Sequence, residues 1–443
     1  VLGKDCNSKD KPQEMIPRED RSPSAAFCPW TKLGVLFPLM MIGIALVFMI
    51  TAEKMSLAAN KSLKTRVGSQ FTYDIANGRL PHQRYFLRQE ASSLMHKRSL
   101  GLSFYSNLYF AIDTETEFAD SRESYTIRPD SLYAEFQKGA LRLTAGMQQL
   151  TWGETFGIPV VDVVNPIDVT EPFSSDLANS KIAVPLVTAE VIGQSVYVQG
   201  IINPLARRSP LPDSVDGVPV RELPDPQLGN DIEYGGRIGY LTSFGLDIKA
   251  IYYRHFNRLP RLVGGLDTTT GTPVLRAAES MQQSIGVAAS QAFDSIVIRF
   301  DGLYEKEGLE QLNDPGAPTT LPQVKVTDRV QGALGFDWSS LDGDLIGAQI
   351  QAMEQLPRPG DSPAVWGGAR VSLNLWSERL ILDVFALHGI GNDEWWVRPQ
   401  VSARLSPRLT WLTEINLMDS NGQTSSDIFA YRRTLNSSLS YRF

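Results

Sequence analysis

Glu154, Asp162 and Asp168 stand in one otherwise apolar segment, Thr151-Trp-Gly-Glu-Thr-Phe-Gly-Ile-Pro-Val-Val-Asp-Val-Val-Asn-Pro-Ile-Asp168. Carboxylates set among Ile158, Val160, Val161, Val163 and Val164 have two plausible employments. They pin the segment to bases elsewhere, or they present charge to a solute. The bases that could meet them recur through the chain: Arg142, Arg237, Lys249, Arg299, Arg329, Arg370, Arg404 and Arg432. The chemistry of such a set is electrostatic rather than covalent. No phosphate-cradling glycine loop or nucleophile-elbow serine is present, and the four histidines, His82, His96, His255 and His388, show no metal-ligand pairing. No cofactor or metal is implied.

The elements that must position these groups are strands. From about Arg66 onward, segments alternate strictly between apolar and polar residues. Leu141, Leu143, Ala145 and Met147 oppose Arg142, Thr144, Gly146 and Gln148. Leu246, Ile248, Ala250 and Tyr252 oppose Asp247 and Lys249, and Leu435, Leu439, Tyr441 and Phe443 oppose Asn436, Ser440 and Arg442. Period-two alternation describes strands between unlike media. A final strand running into Tyr441-Arg-Phe443 has its aromatic end suited to a membrane interface. The expected fold is all-β, a transmembrane antiparallel β-barrel of the bacterial outer membrane.

Connections give an independent test. Short turns are expected at Gln137–Gly139, Gly193-Gln194, Thr242-Ser243, Ala292–Asp294, Ser339–Asp342, Trp376–Glu378 and Ser406-Pro407. Long links are expected at 118–126, 151–182, 204–230, 256–280, 306–323, 355–363, 389–396 and 419–427. Short and long alternate, as periplasmic turns and outer loops do in such barrels. The count gives eighteen strands, with sixteen as the fallback, because Arg84–Met95 alternates poorly and could be a short helix. The long link 151–182 is too apolar to wave in water. It either folds inward and narrows the lumen or packs as a lid on the rim.

Upstream lies an uncharged apolar run, Leu33–Ile50, followed by Ser56-Leu57-Ala58. Residues 1–58 are expected to be a leader and signal peptide, with an uncleaved membrane anchor as the alternative. Residues 59–443 would then form one barrel domain. Both cysteines, Cys6 and Cys28, fall in the leader, so no disulfide is expected in the mature chain. No plug domain is expected ahead of the first strand.

Net charge is −7, which suggests no nucleic-acid partner. The expected partners are outer-membrane lipid and lipopolysaccharide, and the barrel-assembly machinery through the last strand ending at Phe443. On the wall facing the lumen, Arg66, Lys325, Arg398, Arg442 and the eight bases named above outnumber Asp74, Glu233, Asp247, Asp301, Glu305, Asp337, Asp383 and Glu414. Two readings stay open. The basic wall favours anions, or the charges pair and fill the lumen.

The stretch Gly146-Met-Gln-Gln-Leu-Thr-Trp-Gly-Glu154, then Asp162-Val-Val-Asn-Pro-Ile-Asp168, then Ala183-Val-Pro-Leu-Val187, resembles the hallmark of a family of proteobacterial outer-membrane proteins catalogued as a domain of unknown function. Met147 stands where that family usually has Arg, and Ala183-Val-Pro185 where it has Pro-Val-Pro. The resemblance implies an outer-membrane barrel, similar in layout to barrels that export alginate, and names no solute. Within this motif, Trp152 is expected at headgroup level, Gly153 to permit an inward turn, and Asn165-Pro166 to set a rigid one. The functional expectation is a passive channel for a small or extended, anionic or polar solute. The alternatives are a non-transporting surface barrel and a rim hydrolase using His255, or His388 near Asp393 and Glu394.

Overall fold

The computed structural model describes residues 59–443 apart from 76–78, 98–99, 117–124, 156–159, 169–180, 212–213, 216–217, 225, 230, 268, 313–322, 342, 357–363, 391–393 and 420–432. The expected leader and signal segment, 1–58, lies outside the described residues. In chain order the strands are β1 (Ala59–Asp74), β2 (Arg79–Lys97), β3 (Leu100–Thr116), β4 (Tyr125–Lys138), β5 (Leu141–Gln148), β6 (Val184–Ile192), β7 (Val196–Asn203), β8 (Ser214–Val215), β9 (Val218–Arg221), β10 (Glu233–Leu241) and β11 (Leu246–Phe256). Then come β12 (Arg261–Leu266), β13 (Pro273–Ala278), β14 (Met281–Phe293), β15 (Ile296–Leu312), β16 (Gln323–Ser339), β17 (Leu345–Leu356), β18 (Ala364–Leu375), β19 (Leu380–Ile390), β20 (Trp395–Arg404), β21 (Leu409–Asp419) and β22 (Arg433–Arg442).

Eighteen of these form one sheet in which each strand pairs antiparallel with its neighbours. The sheet closes on itself. β1 pairs with β22 from Arg66↔Arg442 to Asp74↔Thr434, so no edge is left. Closure matters because an unpaired strand edge in hydrocarbon leaves every free N–H and C=O unsatisfied. The Arg84–Met95 stretch is strand rather than helix, paired with β1 on one side and β3 on the other. Two flanking ladders outweigh its irregular alternation.

Alternation becomes sidedness. On β11, Lys249, Ile251, Tyr253 and His255 are buried, while Ile248, Ala250, Tyr252 and Arg254 are exposed. The exposed set continues around the barrel with Val187, Ile202, Ile238, Ile285, Phe300, Leu334, Ile350 and Val384. A contiguous apolar exterior on this scale has no place in water and needs a hydrocarbon around it. Phe443 is 69% exposed, and its ring meets Tyr441 edge-on at 4.9 Å between centroids. Both belong to the outside of the barrel.

The connections keep their parity. Tight turns join β4 to β5, β6 to β7, β10 to β11, β14 to β15, β16 to β17, β18 to β19 and β20 to β21. At the opposite end, two of the long links build a second, four-stranded sheet in the order β12-β13-β9-β8. Links 204–230 and 256–280, expected as plain loops, thus carry strands. Leu211, Leu262 and Leu275 give this outer sheet its own small core.

Candidate functional site

The segment that follows β5 turns into the barrel. Its described residues, 151–155, 160–168 and 181–182, pack on the lumen face. Val160, Val161, Val163 and Val164 are buried together with Trp152 against Val184 and Leu186 of β6, Ile201 of β7, Ile251 and Tyr253 of β11, and Ala288, Leu303 and Ala333 of β14, β15 and β16. Each such side chain taken from water contributes about 1.5–3 kcal/mol. That is why this link is apolar. It has an enclosed wall to bury against.

Trp152 is not at the membrane interface. It is 1% exposed, inside the barrel, edge-on to Tyr253 at 5.7 Å between ring centroids, and its Nε1 donates to Gln199 Oε1 at 3.1 Å. The expectation failed because an indole suits any site with one apolar and one polar side, and the lumen core offers both.

Polar groups then fix the segment. Asp162 Oδ1 accepts the N–H of Trp152 at 2.5 Å and of Gly153 at 2.9 Å, and Oδ2 takes Lys181 Nζ at 2.9 Å. Asp162 thus closes the segment on its own lysine. Glu154 reaches the wall: its carboxylate pairs with Lys249 of β11 and with Arg299 of β15 at 3.3 Å. Asp168 lies 4.0 Å from Arg128 of β4. Asn165 does more than set a turn. Its Oδ1 accepts Leu150 N at 2.7 Å while Nδ2 donates to Gln148 O at 3.0 Å and Ile182 O at 2.8 Å. One side chain brackets the end of β5 to the approach to β6, and buried Pro166 follows it.

Two wall acids also anchor the segment. Asp301, 1% exposed on β15, accepts Glu154 N at 3.0 Å, Thr155 N at 3.1 Å and Thr155 Oγ1 at 2.6 Å. This explains Gly153, where a Cβ would sit 2.9 Å from Asp301 Oδ2. The glycine admits the carboxylate rather than a turn. Glu233, fully buried on β10, takes Arg258 in a fork at 3.0 Å from each terminal nitrogen, together with Asn203 Nδ2 at 2.7 Å, Tyr253 Oη at 3.1 Å and Phe256 N at 3.0 Å. Arg258 in turn donates Nε to Val163 O at 2.7 Å. Sequence reading missed Arg258, which sits in a long link with no local signal of its role.

The remaining wall bases divide. Arg142 lies 3.3 Å from Glu190 and 3.8 Å from Glu135, and Arg237 lies 3.9 Å from the other oxygen of Glu190. Arg299 also holds Asp337 at 2.6 Å, Arg329 holds Glu305, and Arg370 holds Asp383 at 2.9 Å. Arg404 is different. It lies at the short-turn end beside Arg66, Arg379, Arg408 and Arg442, around a cavity of about 780 Å³. Arg432 lies outside the described residues.

Of the histidines considered for a rim hydrolase, His255 is buried, with Nδ1 against its neighbour Phe256 O at 2.7 Å and Nε2 against Ser284 Oγ at 2.9 Å. Its ring stacks on Tyr253. Among the described residues no group of histidine, cysteine and carboxylate side chains could hold a metal.

Comparison with known proteins gives fold and little else. No family model matches the chain, and no curated protein matches it. Solved structures do. OccAB1 of Acinetobacter baumannii aligns at 9% identity with TM-score 0.52, covering 87% of this chain and 96% of that one. OccK8 (OprE) of Pseudomonas aeruginosa aligns at 11% identity with TM-score 0.51, covering 87% and 98%. OccD3 (OpdP) of the same organism aligns at 11% identity with TM-score 0.50, covering 88% and 92%. The fold is the eighteen-stranded barrel of outer-membrane porins. Such barrels reside in the bacterial outer membrane.

Proposed function

We propose that the chain is a passive outer-membrane channel for a small or extended, polar or anionic solute, and that segment 151–182 sets its width. It has no catalytic role in this reading. One observation carries it: the inward segment is clamped to the wall by Asn165, Glu154, Asp301 and Arg258, and a clamped segment narrows a pore at fixed width. Wall charge and constriction size then select what passes. Outer-membrane lipid and lipopolysaccharide surround the apolar belt in this role.

Planar-bilayer conductance tests the proposal. The full chain is expected to conduct, and removal of 151–182 to raise conductance several-fold. A barrel silent before and after the deletion would be a scaffold instead. Reversal potentials in a salt gradient test the solute class, and cation preference would remove the anionic part.

A further inference from the structure

The short-turn mouth carries an arrangement that the fold itself does not need. Arg66 on β1 lies directly across from Arg442 on β22 and, on its other side, from Arg88 on β2. Arg442 N donates to Arg408 O at 2.8 Å, and Arg404 N donates to Arg379 O at 2.7 Å. Arg379, Arg404, Arg408, Arg442 and Arg66 therefore stand side by side on neighbouring strands β19 to β22 and β1 or the turns between them. All five line the cavity of about 780 Å³, with hydroxyls from Ser406, Thr410 and Ser440 between them and no carboxylate in its lining. None of the five is ion-paired among the described residues. Arg88, next in the row, is the one that has a partner, Asp130 at 2.8 Å.

Like charges directly opposite on neighbouring strands destabilise a sheet. Elsewhere on the lumen wall Arg142, Arg299, Arg329 and Arg370 are each held by an acid. In the arc no such pair forms among the described residues, although Glu90 shares a smaller adjoining cavity with Lys64, Arg66, Arg88 and Arg442. Five strands at ~4.8 Å spacing spread the row over roughly 20 Å. Each guanidinium is a rigid fork matched to carboxylate or phosphate. A monovalent anion engages one or two forks and leaves the rest repelling one another. An anion with several charged groups engages more of them.

We infer that this arc is a binding site for a multivalent anion, a solute bearing two or more carboxylate or phosphate groups, at the inner mouth of the pore. The inference rests on the channel reading for its purpose, though binding itself does not require an open pore. Calorimetry on the full chain folded in detergent at low salt tests it, with citrate, inorganic pyrophosphate and acetate as probes. Citrate or pyrophosphate is expected to bind at least about tenfold tighter than acetate. The preferred of the two distinguishes a polycarboxylate from a phosphorylated solute. The R66Q/R404Q/R442Q variant is expected to lose about tenfold or more, and R433Q, at the far end of β22, to bind as the parent does. If the triple variant does not fold, R404Q alone is expected to lose about threefold. Acetate binding as tightly as citrate, or variants of the arc binding unchanged, would overturn the site. A barrel that binds through the arc and passes no current keeps the site and loses the channel; one that conducts without arc-dependent binding does the reverse.

Discussion

The clamped wall and the arginine mouth treat charge in opposite ways. Around 151–182, the buried acids that hold the described residues are answered: Glu233 takes five donors from four residues, and Asp301 takes both backbone and hydroxyl groups of the segment. At the mouth, five arginines line one cavity without an ion pair among the described residues, the Arg408 guanidinium meeting only the Tyr441 hydroxyl at 3.5 Å. The difference teaches what each region is for. Buried charges hold position only when paired, because an unpaired one costs several kcal/mol. Exposed charges left in a row hold nothing, and their use is in the field they project.

Glu233→Ala should produce the largest effect. It strands the Arg258 guanidinium in a buried site and unpairs Asn203 and Tyr253. A loss of about 3–5 kcal/mol is expected in urea unfolding of the detergent-folded barrel. The same variant should free Val163 from Arg258, so Trp152 fluorescence should shift toward that of a hydrated indole. An unchanged midpoint would mean that the segment is held by its valines alone.

The next pair of variants compares the two regions by sign. Arg370→Gln leaves Asp383, a buried group, without its 2.9 Å partner. It should destabilise by about 1–3 kcal/mol. Arg66→Gln relieves the line Arg442–Arg66–Arg88 and should stabilise by about 0.2–1 kcal/mol. Two chemically identical substitutions, both on lumen-facing arginines, are thus expected to move the unfolding midpoint in opposite directions. Equal losses at both positions would show that Arg66 has a structural partner after all.

Much of this was legible from residue order. Period-two alternation and the short-long rhythm of connections follow from a sheet between lipid and lumen, so the eighteen strands and their turns could be counted in advance. Other features depend on contacts that sequence spacing hides. Trp152 reads as an interface residue until Gln199 and Tyr253 are seen beside it. The arginine row joins residues 66, 379, 404, 408 and 442, which only closure of β1 on β22 brings together. The outer sheet leaves no such rhythm in the sequence, because β8, β9, β12 and β13 are short and pack round a small core of Leu211, Leu262 and Leu275.

The smallest expected effect tests whether burial, rather than pairing by itself, gives the clamp its strength. Asp267 in the outer sheet's hairpin is paired with Arg221 of β9 and accepts the N–H groups of Thr269 at 2.8 Å and Thr270 at 3.1 Å. These backbone donors, helped by Arg221, hold its carboxyl below the ordinary carboxylate range. A folded value depressed below the unfolded one contributes stability above the unfolded pKa. That contribution is lost as pH falls through the folded value. Protection of the hairpin amides, measured by hydrogen exchange and corrected for the intrinsic pH dependence, should therefore hold through neutral and mildly acidic pH. It should fall only below the usual carboxylate range, and in Asp267→Asn it should show no such step. The global unfolding midpoint should stay where it is, because water already solvates this pair and screens it. A global loss in Asp267→Asn as large as that of Glu233→Ala would break the distinction between buried and solvated pairs on which the contrast between wall and mouth depends.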